Sequence, residues 1–190
     1  FVDRAIAEVV LLSAPVDRWE HALTLRDLLK FEFFFPDRDT YREGLTAELA
    51  RLGASWDSAD GEATLAGADF LIAHRVLRSF VDAQLVVALR LAAHDPRTPV
   101  VEKEFLDECG GVGQQMLLQG RLHGPESLSR ELFASALKLA ANRDLVDPGR
   151  DELAERREVF ARQLRGAVAR VTRIDEIDAA VRREVVGVEP

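Results

Sequence analysis

The spacing of apolar residues in the last third of the chain is the feature that most restricts its fold. Five of them follow one another at intervals of 4, 3, 4 and 3 residues: Phe160, Leu164, Ala167, Val171 and Ile174. This spacing places all five side chains on one face of an α-helix and favours left-handed packing against a neighbouring helix. We therefore predict a long helix from about Asp151, which needs partner helices to cover its apolar face.

Proline, glycine and capping residues divide the remainder of the chain into further helices. A helix that includes Phe31–Phe35 is predicted to end at Pro36, because proline disfavours helical geometry in the residue before it. Asp37 or Asp39 is expected to cap the next helix, which Gly53 ends. The order of these signals indicates one helix after another.

The middle of the chain contains the most apolar segment. A helix from about Ala68 to His94 is apolar on more than one face, which is typical of a central helix. Another helix is predicted to start near Val101, and the glycines between Gly110 and Gly113 either interrupt it or let another part of the chain come close. Gly124-Pro125 is a start signal for an amphipathic helix that follows.

One stretch of small and acidic residues does not fit the helical pattern. It lies between Ala54 and Gly67, and Asp60-Gly61 inside it is a turn signal. Either it is a surface loop, or it forms a short hairpin that pairs Ser55-Trp56 with Thr64-Leu65.

The composition fits one ordinary globular domain, because 47% of the 190 residues are hydrophobic and 31% are charged. We therefore predict an all-α, multi-helix, bundle-like single domain over residues 1–190, with the short hairpin around residues 54–66 left open. No apolar run approaches the ~20 residues that span a bilayer. The isolated segment is accordingly expected to be soluble.

The charge balance bears on the partners of the chain. Its net charge of −8 argues against nucleic acid, since phosphate neutralisation needs a basic face. A local arginine cluster can still contact anionic lipid. The cluster near the end of the chain consists of Arg162, Arg165, Arg170 and Arg173. A solvated face balanced by glutamates of the same helix is the simpler interpretation.

The residue types that usually hold metals or act as nucleophiles do not form a pattern here. No two of the four histidines, at positions 21, 74, 94 and 123, lie three or four residues apart, the spacing that brings metal ligands together on a helix. Cys109 is the only cysteine and has no evident base partner. We predict no metal, no cofactor and no catalytic residue within this sequence.

Two weaker patterns leave enzymatic alternatives open. Ser135 and Lys138 form a Ser-x-x-Lys arrangement, but it falls inside an amphipathic helix and lacks the accompanying Lys-Thr-Gly. Gly110–Gly113 is rich in glycine but lacks the Lys-Ser/Thr of a phosphate loop. A hydrolase or transferase that uses Ser135 with Lys138, or Cys109 with a histidine, therefore remains an alternative.

The run Phe31-Glu-Phe-Phe-Phe35 is unusual because four of its five residues are aromatic. Core packing is the default expectation, since aromatic side chains bury the most surface per residue. The alternative is an exposed aromatic face. In that case Phe33, Phe34 and Phe35 are candidate contacts with a partner domain or with a membrane interface.

Two blocks of the sequence carry a family likeness. One runs from Gly110 to Lys138 and contains Gln-Gln-Met-Leu-Leu-Gln-Gly-Arg-Leu-His-Gly-Pro-Glu-Ser-Leu, and the other is Leu25-Arg-Asp-Leu-Leu-Lys-Phe-Glu-Phe-Phe-Phe-Pro36. In order and spacing they resemble glycerol-3-phosphate acyltransferases of the bacterial type (the glycerol-3-phosphate/dihydroxyacetone-phosphate acyltransferase family). The resemblance extends from about Val9 to Asp178 and implies the C-terminal region of such an enzyme.

The residues that carry the chemistry of that family are absent from this sequence. The family uses a histidine followed, after four residues, by an aspartate; the histidine is the general base and the aspartate orients it. At the corresponding distance the four histidines here are followed by Arg26, Ser79, Pro99 and Leu128. The resemblance therefore implies a helical region that follows a catalytic domain, and we expect that domain to precede Phe1.

The resemblance also implies a role for the whole enzyme. It would transfer a fatty acyl group from acyl-CoA or acyl-carrier protein to the sn-1 hydroxyl of glycerol 3-phosphate in phospholipid biosynthesis, at the cytoplasmic face of the cell membrane. This segment would be accessory, with the catalytic domain of the same polypeptide as its partner. Arg121, His123 and Glu126 lie in the first block and are candidate contacts with substrate or with that domain. The alternative is a stand-alone helical binding or regulatory module without activity.

Overall fold

A computed structural model describes the backbone of residues 1–186 and the side chains of residues 1–183. All regular structure in this part of the chain is helical, which confirms the all-α prediction. The α-helices are α1 (Val2–Leu11), α2 (Arg18–Leu29), α3 (Arg38–Arg51), α4 (Gly61–Ala66), α5 (Ala73–Val76), α6 (Arg78–Ala92), α7 (Glu102–Leu118), α8 (Arg130–Asn142) and α9 (Leu153–Val186). Short 3-10 turns occur at Pro15–Asp17 and Pro125–Leu128.

The chain divides into two compact units. The first consists of Phe1–Leu77 together with the residues from Ala169 onward, and the second of Arg78–Val168. The predicted 4-3 apolar face of the last helix is confirmed, because all five of its residues are buried. Within residues 1–186 no helix is both long enough and apolar enough to cross a bilayer. A single domain over residues 1–190 stays a prediction.

The centre of the first unit is α1, which contacts α2, α3, α4 and α5. Its residues from Ala5 to Leu11 are all buried, including the charged Glu8. The Glu8 carboxylate accepts hydrogen bonds from the backbone N–H groups of Ile72 (2.9 Å) and Ala73 (2.8 Å), and from Nε of Arg4 (2.9 Å). It thereby supplies acceptors to the first turn of α5, where a helix leaves N–H groups unpaired.

The second unit is built around α6, whose residues 81–88 are all buried and which contacts α7, α8 and the second 3-10 turn. The glycines of α7 do not interrupt that helix. Gly113 lets a side chain come close, since a Cβ there would lie 2.6 Å from Cδ2 of Leu128. Gly110 and Gly111 would have no neighbouring atom within 4 Å of an added Cβ.

Each unit contains a buried arginine that donates to backbone carbonyl groups outside the helices. Arg18 donates from Nη1 to the carbonyl oxygen of Trp56 (2.8 Å). Arg157 donates to the carbonyl oxygens of Leu145 (2.8 Å) and His94 (3.0 Å), which follow α8 and α6. Both side chains are about 1% exposed. Burial lowers the pKa of each guanidinium, because the charged form loses hydration.

Of the two alternatives for residues 54–66, a surface loop or a short hairpin, the hairpin is wrong. The segment contains the short helix α4 instead, because the Asp60 carboxylate accepts a hydrogen bond from the N–H of Ala63 (2.8 Å) and acts as an N-cap. Gly61 is required next to it, since a Cβ there would lie 1.9 Å from the carbonyl oxygen of Leu11. The turn signal at this dipeptide was therefore the start of a helix.

Other helix boundaries also differ from the sequence expectations. The helix expected from Ala68 to His94 consists of α5 and α6, separated at Leu77. Gly124-Pro125 starts a 3-10 turn, and α8 begins only after Ser129, whose Oγ accepts from the N–H of Leu132 (3.4 Å). The cap at Asp37 and the stop at Gly53 are confirmed.

Candidate functional site

The three residues expected to contact substrate or a partner domain lie on one loop of the second unit, between α7 and α8. Gly120 ends α7 in the left-handed conformation, with a φ of 68°. Its N–H donates to the carbonyl oxygen of Leu117 (3.0 Å), and the N–H of Arg121 donates to that of Met116 (2.9 Å). This pair of bonds is a Schellman motif. The chain therefore leaves the helix at Arg121, the first of the three residues.

A buried carboxylate of α6 holds the middle of the loop. Asp82 is fully buried, and its Oδ2 accepts hydrogen bonds from the backbone N–H of His123 (3.2 Å) and from Nε of Arg78 (2.9 Å). Leu122, one residue earlier, is also buried. The side chain of His123, in contrast, is exposed. The loop backbone is thus fixed to the core, while this side chain faces solvent.

The second half of the loop turns tightly. The Glu126 carboxylate lies against Gly124, since a Cβ on that residue would lie 2.2 Å from Oε2 of Glu126. With a φ of −159° the backbone of Gly124 is extended. Ser127 is fully buried and donates its N–H to the carbonyl oxygen of Gly124 (3.4 Å).

Arg121 and Glu126 are both exposed, like His123. Within residues 1–183 the Arg121 guanidinium forms no hydrogen bond or ion pair, and Glu126 is not its partner. Its planar N–H donors can therefore bind a phosphate or a carboxylate in a bidentate way. That these three side chains contact substrate or another domain stays a prediction.

The remaining histidines each have their own local contacts. His21 Nδ1 lies 2.7 Å from Oγ of Ser13, and His94 Nε2 lies 3.1 Å from the carbonyl oxygen of Thr98. His74 Nε2 lies 3.5 Å from Oδ2 of Asp178. In the part of the chain with described side chains, no group of three or more His, Cys, Asp or Glu residues is arranged to hold a metal ion.

The environment of Cys109 does not suit a nucleophile. The side chain is fully buried on α7, and burial raises the pKa of its thiol to about 12. At neutral pH the thiol is therefore protonated, whereas the thiolate is the reactive form. Ser135 and Lys138 both lie on α8, half-buried and exposed respectively.

The aromatic run of the first unit lies outside a helix. α2 ends at Leu29, whose carbonyl oxygen accepts hydrogen bonds from the N–H groups of Glu32 (3.0 Å) and Phe33 (2.9 Å). Core packing is wrong for Phe34, which is 92% exposed. Phe33 is half-buried, and Phe35 packs edge-on against Tyr41 with ring centroids 5.6 Å apart.

Sequence reasoning missed the role of Asp82. The only signal was one acidic residue between Val81 and Ala83 of α6. A charge at the centre of a helix whose neighbours are buried needs a partner, because an unpaired buried charge is costly. That argument identifies Arg78, four residues earlier, as one partner of Asp82, but not the His123 N–H, which lies 41 residues further along the chain.

Within residues 1–186 the fold is that of an all-α, multi-helix protein. Residues 1–149 match the family described as "Glycerol-3-phosphate acyltransferase C-terminal region". The chain belongs to this family.

Curated relatives agree with this assignment. Proteins from Mycobacterium bovis and from two strains of Mycobacterium tuberculosis, each named "Putative acyltransferase plsB1", are 43% identical to the chain over 194 aligned positions. The alignments cover 93% of this chain and 31% of each relative. The chain thus spans about a third of the length of these relatives. No solved structure matches it.

Proposed function

We propose that this chain is the accessory C-terminal domain of an enzyme that transfers a fatty acyl group to glycerol 3-phosphate. The observation that carries the proposal is the family match over residues 1–149 to the C-terminal region of such enzymes. The relatives are also named as acyltransferases and are about three times as long as the aligned segment. The donor would be acyl-CoA or acyl-carrier protein, and the reaction would take place at the cytoplasmic face of the cell membrane.

The sequence supports an accessory rather than a catalytic role. None of the four histidines is followed, after four residues, by an aspartate, and Cys109 is a buried, protonated thiol. The general base would thus come from a catalytic domain of the same polypeptide. The domain would stabilise that partner, and the anchored loop with Arg121, His123 and Glu126 would form part of the contact.

The proposal is tested with three proteins: the full-length product of the gene, the same product without this segment, and the segment alone. Transfer of a labelled acyl group from acyl-CoA or acyl-carrier protein to glycerol 3-phosphate is measured for each. We expect activity only in the full-length protein. Acyl transfer by the segment alone would overturn the accessory role, and a full-length protein inactive with both donors would overturn the reaction.

A loop variant of the full-length enzyme tests the contact. Arg121→Ala is expected to weaken binding of glycerol 3-phosphate, or association with the catalytic domain, without unfolding the segment, since its side chain is exposed and unpaired within residues 1–183. Arg162→Ala, another exposed arginine, is the matched control. Equal KM values and equal domain association in the two variants would show that Arg121 is not part of the contact.

A further inference from the structure

We propose that the first unit contacts a phospholipid surface through the turn after α2 and the aromatic residues beside it. We call these residues the aromatic–arginine surface: Trp19, Phe31, Phe34, Phe35, Arg38, Arg42 and Trp56. The buried Tyr41 contacts two of its rings. The inference rests on the proposed function only in that this function places the protein at a membrane. Vesicle binding is measured without any acyl substrate, so it can fail or succeed independently of the reaction.

The first observation is an exposed ring on a fixed segment. Phe34 is 92% exposed and Phe31 is 41% exposed. The segment is fixed because Arg26 donates from Nη2 to the carbonyl oxygen of Pro36 (2.7 Å) and because Phe35 packs on a buried tyrosine. Exposure of Phe34 is therefore a property of the folded turn. An apolar ring held in water gains about 1.5–3 kcal/mol when it is fully transferred to an apolar phase.

The second observation is a continuous series of aromatic contacts that begins beside this ring. Phe35 contacts Tyr41 at 5.6 Å between centroids, Tyr41 contacts Trp19 at 6.1 Å, and Trp19 contacts Trp56 at 5.7 Å. The hydroxyl of Tyr41 is fixed to the carbonyl oxygen of Ala22 (2.9 Å). Tryptophan is enriched where an apolar phase meets water, because its ring is amphipathic.

The third observation concerns two arginines whose guanidinium groups lie over these rings. The guanidinium of Arg42 lies 5.0 Å from the ring centroid of Trp19 and 5.9 Å from that of Trp56, and that of Arg38 lies 6.0 Å from Trp19. Within residues 1–183 neither arginine forms an ion pair. A guanidinium placed over a ring keeps N–H donors that match the oxygens of a phosphate.

The combination fits a lipid surface better than a free phosphate. A phosphate ion alone offers no apolar environment for an exposed phenylalanine. A phospholipid interface offers both an apolar layer for Phe34 and phosphates for Arg38 and Arg42. The same neighbourhood also carries Asp39 and Glu43, which line a groove beside Arg42. Binding is therefore expected to depend on ring insertion and to vary only modestly with salt.

The chain contains its own reporter of this contact. It has two tryptophans, Trp19 and Trp56, and both belong to the aromatic–arginine surface. Intrinsic fluorescence consequently reports on this surface alone. We expect a blue shift when the chain is mixed with vesicles of phosphatidylcholine and phosphatidylglycerol, and quenching when the lipids carry bromine in their acyl chains.

Variants then identify the residues responsible, with partition measured by vesicle sedimentation. Phe34→Ala is expected to reduce partition about tenfold, which corresponds to about 1.4 kcal/mol of lost burial. Arg42→Gln is expected to reduce it about threefold to fivefold on vesicles that contain phosphatidylglycerol. Leu118→Ala, at a residue of the second unit that is 79% exposed, is the matched control and should change partition less than twofold.

Several outcomes would overturn the proposal. One is that the unaltered chain neither sediments with vesicles nor changes its fluorescence. Another is that Phe34→Ala and Leu118→Ala have equal effects. A fluorescence change with inorganic phosphate alone that Phe34→Ala does not alter would indicate a phosphate site instead. Loss of association between the Phe34→Ala segment and the rest of the polypeptide, without vesicle binding by the unaltered chain, would indicate an interface between domains.

Discussion

The carboxylate of Asp82 and the backbone N–H of His123 are joined by a 3.2 Å hydrogen bond that connects the centre of α6 to the loop between α7 and α8. The same oxygen accepts from Nε of Arg78 at 2.9 Å. Asp82 is fully buried, so this carboxylate depends on these donors in place of water. The loop that presents Arg121, His123 and Glu126 is therefore held by one side chain of the core.

We expect Asp82→Ala to lower the free energy of unfolding by about 3 kcal/mol. The substitution removes the acceptor of the His123 N–H and leaves the buried Arg78 guanidinium without this carboxylate, and breaking a buried pair costs about 3–5 kcal/mol. Asp107→Ala is the matched control, because Asp107 also pairs with an arginine, Arg130, but is 59% exposed. Exposed pairs contribute about 0–1 kcal/mol. Urea denaturation measures both, and equal losses would contradict the structural role given to Asp82.

Alanine substitutions at two glycines of α7 are expected to change the free energy of unfolding in opposite directions. Gly111→Ala is expected to raise the free energy of unfolding by about 0.5–1 kcal/mol, because alanine favours helix and an added Cβ meets nothing within 4 Å. Gly113→Ala gains the same propensity but places its Cβ 2.6 Å from Leu128 Cδ2 and 3.4 Å from Cζ of Phe133. Overpacking costs about 1–3 kcal/mol.

The net effect of Gly113→Ala should thus be a loss of about 1 kcal/mol. Thermal and urea unfolding of the two single variants provide the comparison. A gain in stability from both substitutions would mean that Leu128 moves aside without cost, and that the close approach at Gly113 does not constrain the packing of α7 against the second 3-10 turn.

Substituting the buried arginine of the second unit should lower the free energy of unfolding more than substituting an exposed arginine of the same helix. The Arg157 guanidinium donates to the carbonyl oxygen of His94, just after α6, and to those of Leu145 and Val146, after α8. Arg157→Ala leaves these three carbonyl groups without that donor. We expect a loss of about 2–4 kcal/mol, since each buried group left without a partner costs about 1–3 kcal/mol. Arg162→Ala, at an exposed position, should stay within about 0.5 kcal/mol. Similar losses for the two variants would contradict this assignment.

Periodicity and caps predicted a large part of this fold because they are local. The 4-3 apolar spacing in α9, the Asp37 cap and the Gly53 stop each depend on residues within one or two turns of helix. The family likeness of the loop after α7 was likewise visible in a continuous block. Signals of this kind predict local structure correctly because they do not depend on contacts with distant residues.

The failures involved contacts between distant parts of the sequence. The start of α5 within the apolar stretch from Ala68 involves Glu8, which binds the N–H groups of Ile72 and Ala73 from 64 and 65 residues away. The turn that exposes Phe34 depends on Arg26, which binds the Pro36 carbonyl from outside the aromatic run. Composition and spacing do not specify such partners, and the same limit applies to the candidate site.

The pH dependence of stability offers a test of the buried histidines in the first unit. Burial lowers the pKa of His21, the nearby Arg170 lowers it further, and Asp17 and Glu20 oppose the shift. Burial also lowers the pKa of His74. As pH falls through the ordinary histidine range near about 6.5, the unfolded chain therefore binds protons before the folded chain does. The contribution of these two histidines to the free energy of unfolding must then decrease as pH falls.

The measurement is the free energy of unfolding between about pH 7.5 and 5.5, where most carboxylates are still ionised. We expect the unaltered chain to lose stability with falling pH more steeply than His21→Gln/His74→Gln, which lacks both groups. The difference between the two proteins is the relevant quantity, because burial raises the pKa of Glu8 and gives a contribution of the opposite sign. Parallel curves would show that neither histidine is held in its neutral form by folding, and that His21 is more hydrated than its contact with Ser13 indicates.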